Sequence, residues 1–441
     1  MRQPASADRS GGPIAVTGIG VVSPVGNTVS AFDEALFAGR SAVRPLTLDL
    51  PGIELPPVPV ATADFDAAAE VAPSGVALDR GTAMALAAAR DAASAAQLVA
   101  GSYDPERLGI FWGSGMAGAA TFEATCRTVY AERKRMRPTS VVTTMPNAPV
   151  AELALLFGAQ GAALAYACAC AASAVAIGEA MRAIRAGWID VAVVGGSESM
   201  LTPGVLASWQ AMRVLAPIGA SVARFAATSS TISVASSLSL AEHARAVAAV
   251  VRPFARDRAG FALGEAAAAY VLESPAHAAG RGVRPAAWLA GYATNCDGVH
   301  ITQPDASGQA RAMRAALADA GLTARDVGYL NAHGTATSSG DAAEADSIGR
   351  VFGGHGVAVS SSKAVHGHLL GAGGAVELLA TLRALQTSRL PPTGNVLAVD
   401  PAFAIDLVTG AARAAPSLRA AMSNSFAFGG TNAVLIATRA E

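Results

Sequence analysis

Short runs rich in Val and Ile alternate along this chain with Ala-rich segments at helical spacing, and that alternation limits the possible fold more than any other feature. IAVTGIGVVS, LGIFWGSG, VAVVGGSES and VAVSSSK have the apolar character of buried strands. GTAMALAAARDAASAAQL and SGQARAMRAALADAGL repeat small and apolar residues with the period of a helix. The pattern predicts an α/β protein whose strands are mostly covered on both faces. Several of the strand-like runs end in Gly and Ser, where a chain turns at the edge of a site.

With 441 residues, 52% of them hydrophobic and only 15% charged, the chain can bury a large core. A formal net charge of -1 provides no global field for nucleic acid or an anionic membrane, so a charged partner has to be met by a local patch. No stretch reaches the ~18 to 20 uninterrupted apolar residues of a membrane span, and the polar, Gly-rich lead of residues 1–12 is unlike a signal peptide. Cys126, Cys168, Cys170 and Cys296 are too few and too irregularly spaced for a disulfide framework, which fits a soluble protein of the cytoplasm. Two stretches read as surface insertions, about 42–75, rich in Pro and Asp, and about 217–250. The second contains the uncharged FAATSSTISVASSLSLA, residues 225–241.

The segment YACACAASAVAIGEAMRAIRAG, Tyr166 to Gly187, turns helical from Ala171. Glu179, Arg182 and Arg185 share one face, and Gly187 ends the helix. The first two turns carry no charge, so this helix begins inside protein with Cys170 at its threshold. Unsatisfied N–H groups and the helix dipole at such a place favour a thiolate and would draw a thiol pKa down from roughly 8.5. Cys170 is therefore a candidate nucleophile. A one-residue gap to Cys168 without a second Cys pair is not zinc spacing, and no metal is expected.

Three distant motifs supply partners. NAHGTATSSGDAAEAD places His333 where an apolar run gives way to a turn, and SSSKAVHGHLLGAGGAVE does the same for Lys363 and His368. The 32 basic residues include only two lysines, Lys134 and Lys363. A compact ammonium is thus kept beside a His-rich turn in a chain that otherwise uses the planar guanidinium. SNSFAFGGTNA sets Phe426 and Phe428 before a Gly pair, a loop able to gate a pocket.

These stretches, with VTGIGVVSPVGN near the start and RPFARDRAGFALGE midway, resemble the β-ketoacyl-acyl carrier protein synthase family, the condensing enzymes with a Cys-His-His site. The resemblance runs from about Ile14 to the C-terminus in the family's motif order. It implies a thiolase-like fold, two similar α/β halves in a layered α-β-α-β-α arrangement, here 13–270 carrying the nucleophile and 271–441 carrying both histidines. The implied activity is 3-oxoacyl-[acyl-carrier-protein] synthase, in fatty acid, polyene or polyketide biosynthesis. It needs no cofactor beyond the phosphopantetheine arm of its acyl carrier protein partner. The implied assembly is a homodimer, or a heterodimer with a related subunit.

By the same resemblance Cys170 accepts the acyl group, and His333 and His368 stabilise the enolate left by decarboxylation. Backbone N–H groups of Cys170 and Phe428 form an oxyanion hole, and Phe428 is the gating aromatic. Lys363 orients the second histidine's network, and Glu344 supports the lysine or a structural water. Thr335 and Thr337 bind the pantetheine arm, and Met116 limits tunnel depth. An acidic carrier protein would dock on the densest basic cluster, Arg127, Arg133, Lys134, Arg135 and Arg137. Three departures from the family pattern stand out: Ala427 where Gly is usual between the phenylalanines, Ala255 and Ala259 in place of acids, and Thr139 and Ser140 in place of tunnel aromatics. A non-catalytic chain-length subunit and a coenzyme A thiolase are the alternatives. The first typically lacks the nucleophilic Cys, and the HGHLLGAGG turn fits the second less well.

Overall fold

The computed structural model describes residues 11–50, 52–219 and 240–440. Its ten principal strands fall into two sets of five with the same topology. The first set is β1 (Ile14–Val22), β2 (Leu108–Gly113), β3 (Ala163–Tyr166), β4 (Val191–Glu198) and β5 (Ala266–Glu273), in the spatial order β3-β2-β4-β5-β1. β5 runs antiparallel to both neighbours, and the other pairs are parallel. The second set is β6 (Ala287–Cys296), β7 (Val327–Asn331), β8 (Ala358–Ser360), β9 (Ala420–Phe426) and β10 (Thr431–Arg439). Its order, β8-β7-β9-β10-β6 with β10 antiparallel to both neighbours, repeats the first. β1 pairs with β6 and joins the sheets edge to edge.

Helices complete the layers. α1 (Arg80–Ala95) packs on the outer face of the first sheet and α2 (Ala172–Arg185) on its inner face. A short helix, α3 (Pro203–Ala211), follows β4. In the second half α4 (Ala306–Asp319) and α5 (Ser338–Phe352) lie outside, and α6 (Gly373–Thr387) lies inside against α2. The core is thus a central apolar layer around α2 and α6, flanked by one outer cluster per half. Small residues permit this close packing. A Cβ on Gly374 would lie 2.7 Å from the Cβ of Ala174, and one on Gly113 2.3 Å from the backbone of Ala172. Gly therefore lets β2 and α6 both press against the start of α2.

Two expectations about the periphery are revised. Within 42–75, Val58–Ala61 is a fully buried strand between Arg44–Leu46 and Leu263–Gly264, so this stretch is partly interior. From the second stretch, Val247 and Val250 are buried, packed with Val251, Val43 and Ala262. Most of the uncharged 225–241 run lies outside the described residues. The halves meet between Glu273 and Ala287, so a division at 270 would cut β5. Among the described residues no helix is long and apolar enough to cross a membrane.

Candidate active site

Each inner helix is entered through a single 3-10 turn, Ala169–Ala171 before α2 and Leu370–Ala372 before α6. Both turns hold one non-glycine residue in the left-handed region, Ala169 at φ 47° and Leu370 at φ 48°. Such a residue costs roughly 1–2 kcal/mol and persists where surrounding packing overdetermines it. The two turns abut, which brings Cys170 from one half against His368 from the other. His368 is held in register with the strand Leu263–Gly264, donating its N–H to Ala262 at 2.7 Å and accepting from Gly264 at 2.9 Å.

His368 Nε2 faces Cys170 Sγ at 3.1 Å, and the His333 and His368 rings meet edge to face with centroids 5.4 Å apart. The reactive atoms of Cys170, His333 and His368 all lie within 4.8 Å of one another. Lys363, wholly buried, sits 3.3 Å from His333 Nδ1 and is ion-paired with Glu377. An ammonium has no lone pair, so His333 Nδ1 accepts and its proton resides on Nε2. Glu344 receives the backbone N–H groups of His333 (2.9 Å) and Gly334 (2.7 Å) and the Asn424 amide (3.2 Å). It fixes the turn that carries His333. Lys363, expected to orient the network of the second histidine, instead meets the first, His333, and its counter-ion is Glu377; Glu344, expected to support the lysine or a structural water, holds the His333 turn.

Burial dominates the electrostatics. It pushes the Cys170 thiol up to about 12, against the pull of the Lys363 charge and of the N–H groups of Phe428 and Cys170. A thiolate ready-made by the helix N-terminus is therefore corrected to a neutral thiol beside a neutral imidazole. Burial first, then the Lys363 charge, holds His333 and His368 well below the usual imidazole range. Burial also raises Glu377 to about 7, opposed by Lys363.

The cavity above Cys170 has two characters. The polar residues His333, Thr335, Thr337, Asp297 and Asn432 and the apolar residues Trp209, Phe261, Ala427 and Phe428 all line it. Thr337 also caps the N-terminus of α5. Left-handed φ in the 426–430 loop falls on Gly429 and Gly430, so Ala427 needs no special backbone freedom there. Met116 does not border this cavity; its side chain is half-exposed, and its N–H is bound by Glu198. Arg127, Arg133, Lys134, Arg135 and Arg137 are all exposed on and after the π-helical turn Arg127–Ala131, where Lys134 pairs with Glu132 at 3.0 Å. None of them lines the cavity. Cys168 is half-buried and packs on the central core.

Sequence reasoning gave no role to Glu377, Glu198, Trp209 or Phe261. Glu377 closes the same quoted stretch as Lys363, and the need of a buried ammonium for a counter-ion was the signal available. Glu198 accepts N–H groups from both Met116 (3.2 Å) and Gly371 (3.1 Å), tying the end of β2 to the turn after His368. That link crosses the two halves and leaves no mark in spacing.

Comparison with known proteins agrees with this geometry. The family model described as Beta-ketoacyl synthase, N-terminal domain, matches residues 12–278, and that described as Beta-ketoacyl synthase, C-terminal domain, matches 286–397. Nodulation protein E of Rhizobium leguminosarum bv. trifolii is 36% identical, over 96% of this chain and 98% of that protein. The 3-oxoacyl-[acyl-carrier-protein] synthase 2 of Synechocystis sp. is 32% identical, over 96% and 97%. Among solved structures, the ishigamide ketosynthase/chain length factor superposes with a TM-score of 0.83 at 29% identity, covering 97% of this chain and 99% of that one. The ketosynthase in a type II PKS complex of AntDE and the acyl-carrier protein AntF gives 0.83 at 26% identity, over 98% and 100%.

Proposed function

As this chain belongs to the beta-ketoacyl synthase family, we propose that it joins an acyl group held on Cys170 to a malonyl unit on acyl carrier protein, with loss of carbon dioxide. The observation that carries this reading is the burial of Cys170, His333 and His368 around one cavity, with the Lys363–Glu377 pair behind them.

The acyl step begins as Cys170 Sγ attacks the incoming thioester carbonyl and passes its proton to His368 Nε2. The tetrahedral oxyanion is met by the N–H groups of Cys170 and Phe428, both directed at the sulfur's surroundings. Collapse expels the pantetheine thiolate, which takes the proton back from His368. Malonyl thioester then enters, and its carbonyl oxygen accepts from the His333 Nε2–H. The carboxylate leaves as carbon dioxide, its bonding electrons forming the enolate. The enolate carbon attacks the acyl carbonyl, the Cys170–acyl bond breaks, and the thiolate takes a proton from solvent, which replaces the one that left with the first pantetheine thiol. The product is a 3-oxoacyl thioester two carbons longer. The chain's own residues supply every group in this scheme, and the phosphopantetheine arm arrives with the carrier, guided by Thr335 and Thr337.

The partners follow from surface chemistry. An acidic carrier protein docks on Arg127, Arg133, Lys134, Arg135 and Arg137. The edge strand β3 is mostly exposed, with Leu164 46% exposed, and a second copy or a related subunit covers it. All four cysteines are free, which suits the cytoplasm.

The test is intact mass after incubation with acyl-carrier proteins of graded chain length, beside a Cys170→Ala control. A gain that requires Cys170 is expected, and no gain with any primer would sink the reading. Reversing two of the five basic charges should weaken carrier binding, and unchanged kinetics would remove docking from this segment.

A further inference from the structure

Cys168 and Cys170 lack metal spacing along the chain, but folding gathers a different set of ligands around Cys170. One ligand atom each from Cys170, His333 and His368 lies within 4.8 Å of the other two, and all three residues are buried. A thiolate with two imidazoles is a donor set that suits zinc and not magnesium or calcium. A tetrahedral zinc ion about 2.3 Å from sulfur and about 2.0 Å from nitrogen holds those atoms roughly 3.3–3.6 Å apart. His368 Nε2 already stands 3.1 Å from Sγ, so the ion needs side-chain shifts on the order of 1 Å.

The surroundings distinguish an acquired metal from a resident one. Ligating histidines usually give their second ring N–H to a carboxylate or carbonyl, whereas His368 Nδ1 is buried with no hydrogen-bond partner among the described residues. His333 Nδ1 faces the Lys363 ammonium at 3.3 Å, a charge that opposes a further cation. Coordination resolves the conflict by moving protons. The thiol proton of Cys170 and the Nε2 proton of His333 leave to solvent, and Lys363 passes one proton to Nδ1, whose N–H then donates to the neutral amine. The dication and the thiolate together carry the single positive charge that the ammonium held, so Glu377 keeps a cation in the same buried cluster. The fourth position is left to the cavity, where Phe428 stacks on Trp209 with ring centroids 6.1 Å apart.

We propose that Cys170, His333 and His368 form an inhibitory site for a divalent ion of the zinc class, which binds in place of the acyl group. Zinc and an acyl chain compete for one sulfur, so the metal holds the protein unloaded. The missing outer partner at His368 sets the affinity at about micromolar, weaker than that of a dedicated zinc site. The site itself needs no carrier protein, and only its inhibitory consequence rests on the ketosynthase reading.

The experiment uses zinc chloride alone as the probe, on the full-length parent, Cys170→Ala and His368→Gln proteins in buffer free of thiols and chelators. Binding is measured by equilibrium dialysis, iodoacetamide alkylation of Cys170 by peptide mass, and acyl-Cys170 formation from acyl-carrier protein by intact mass. Thermal unfolding checks each fold. The parent should bind a zinc ion that Cys170→Ala does not, and His368→Gln should weaken that binding about 100-fold. Saturating zinc should slow alkylation of Cys170 about 100-fold, with recovery on adding EDTA, and magnesium should do neither. Cobalt(II) in place of zinc should give a thiolate-to-metal charge-transfer band that Cys170→Ala lacks. Alkylation at an undiminished rate under saturating zinc, or equal zinc binding by the parent and Cys170→Ala, overturns the site. Protection from iodoacetamide with unchanged acyl loading overturns the inhibition. A metal-free parent that alkylates at Cys170 yet loads no primer overturns the ketosynthase reading, and dialysis and alkylation still decide the site. If Cys170→Ala does not fold, the cobalt band and the protection of Cys170 in the parent decide.

Discussion

At Cys170 two effects oppose each other, and burial is the larger. Removal from water holds the proton on sulfur, while the Lys363 charge and two N–H groups favour its loss. The rate of Cys170 alkylation by iodoacetamide should therefore keep climbing from pH 7 to pH 10. A plateau near neutrality would mean that a thiolate forms there after all. Lys363 offers a second test, because it and Glu377 are both fully buried. Lys363→Ala leaves a buried carboxyl without its cation, an arrangement that typically costs about 3–5 kcal/mol. It also frees His333 Nδ1 to take the proton, so decarboxylation of malonyl-carrier protein should fall about 100-fold or more. The double variant Lys363→Met/Glu377→Leu should recover much of the stability and none of the condensation. Thermal unfolding together with a product assay separates the two effects, and recovered activity would show that the pair is structural only.

Among elements, the helices α2 and α6 matter most, since the turns that lead into them hold Cys170 and follow His368. Their separation is set by Ala174 against Gly374, where no atom can be added without movement. Gly374→Ala should destabilise the fold by about 1–3 kcal/mol through overpacking, and slow acyl loading more than iodoacetamide alkylation. The reason is that loading depends on the Cys170–His368 alignment, whereas alkylation mainly needs access. Unchanged Tm and loading would mean that the helices yield without disturbing the turns. Sequence periodicity found α2 to within a residue, because its apolar start and Gly187 stop are local signals. It missed the buried strand Val58–Ala61, whose prolines resemble a surface wrap until the pairing with Leu263–Gly264 is seen.

For the molecule as a whole, buried titratable groups set the pH of greatest stability. Burial raises Glu198 and Asp341 to about 7, above the ordinary carboxylate range. Their protonated forms favour the native state, so their contribution is full below pH ~4.5 and is lost as pH rises through 7. Burial lowers His366 to about 3 and His333 and His368 well below 6.5. Those neutral rings contribute fully above pH ~6.5, and the contribution is lost as pH falls toward their native values. Between pH ~4.5 and 6.5 the two sets oppose each other; above that only the carboxylate slope remains. Tm should thus decline from pH 6.5 to 8, and a Tm that rises across that window by differential scanning fluorimetry would mean these carboxyls are already ionised in the native protein.

The α/β class and the nucleophile at a helix threshold follow from local order along the chain, because apolar period and turn residues act over a few positions. His333, His368 and Lys363 could be selected from sequence for a related reason: each sits in a short turn of Gly and Ser beside a strand-like run. Which carboxylate answers Lys363, which ring closes on Phe428, and whether the thiol is charged depend on groups that meet only when the two halves stack. Glu198 and Gly371 lie 173 residues apart, and Cys170 and His368 198. Protonation at Cys170 is decided by solvent exclusion, a property of the packed core rather than of any neighbouring residue.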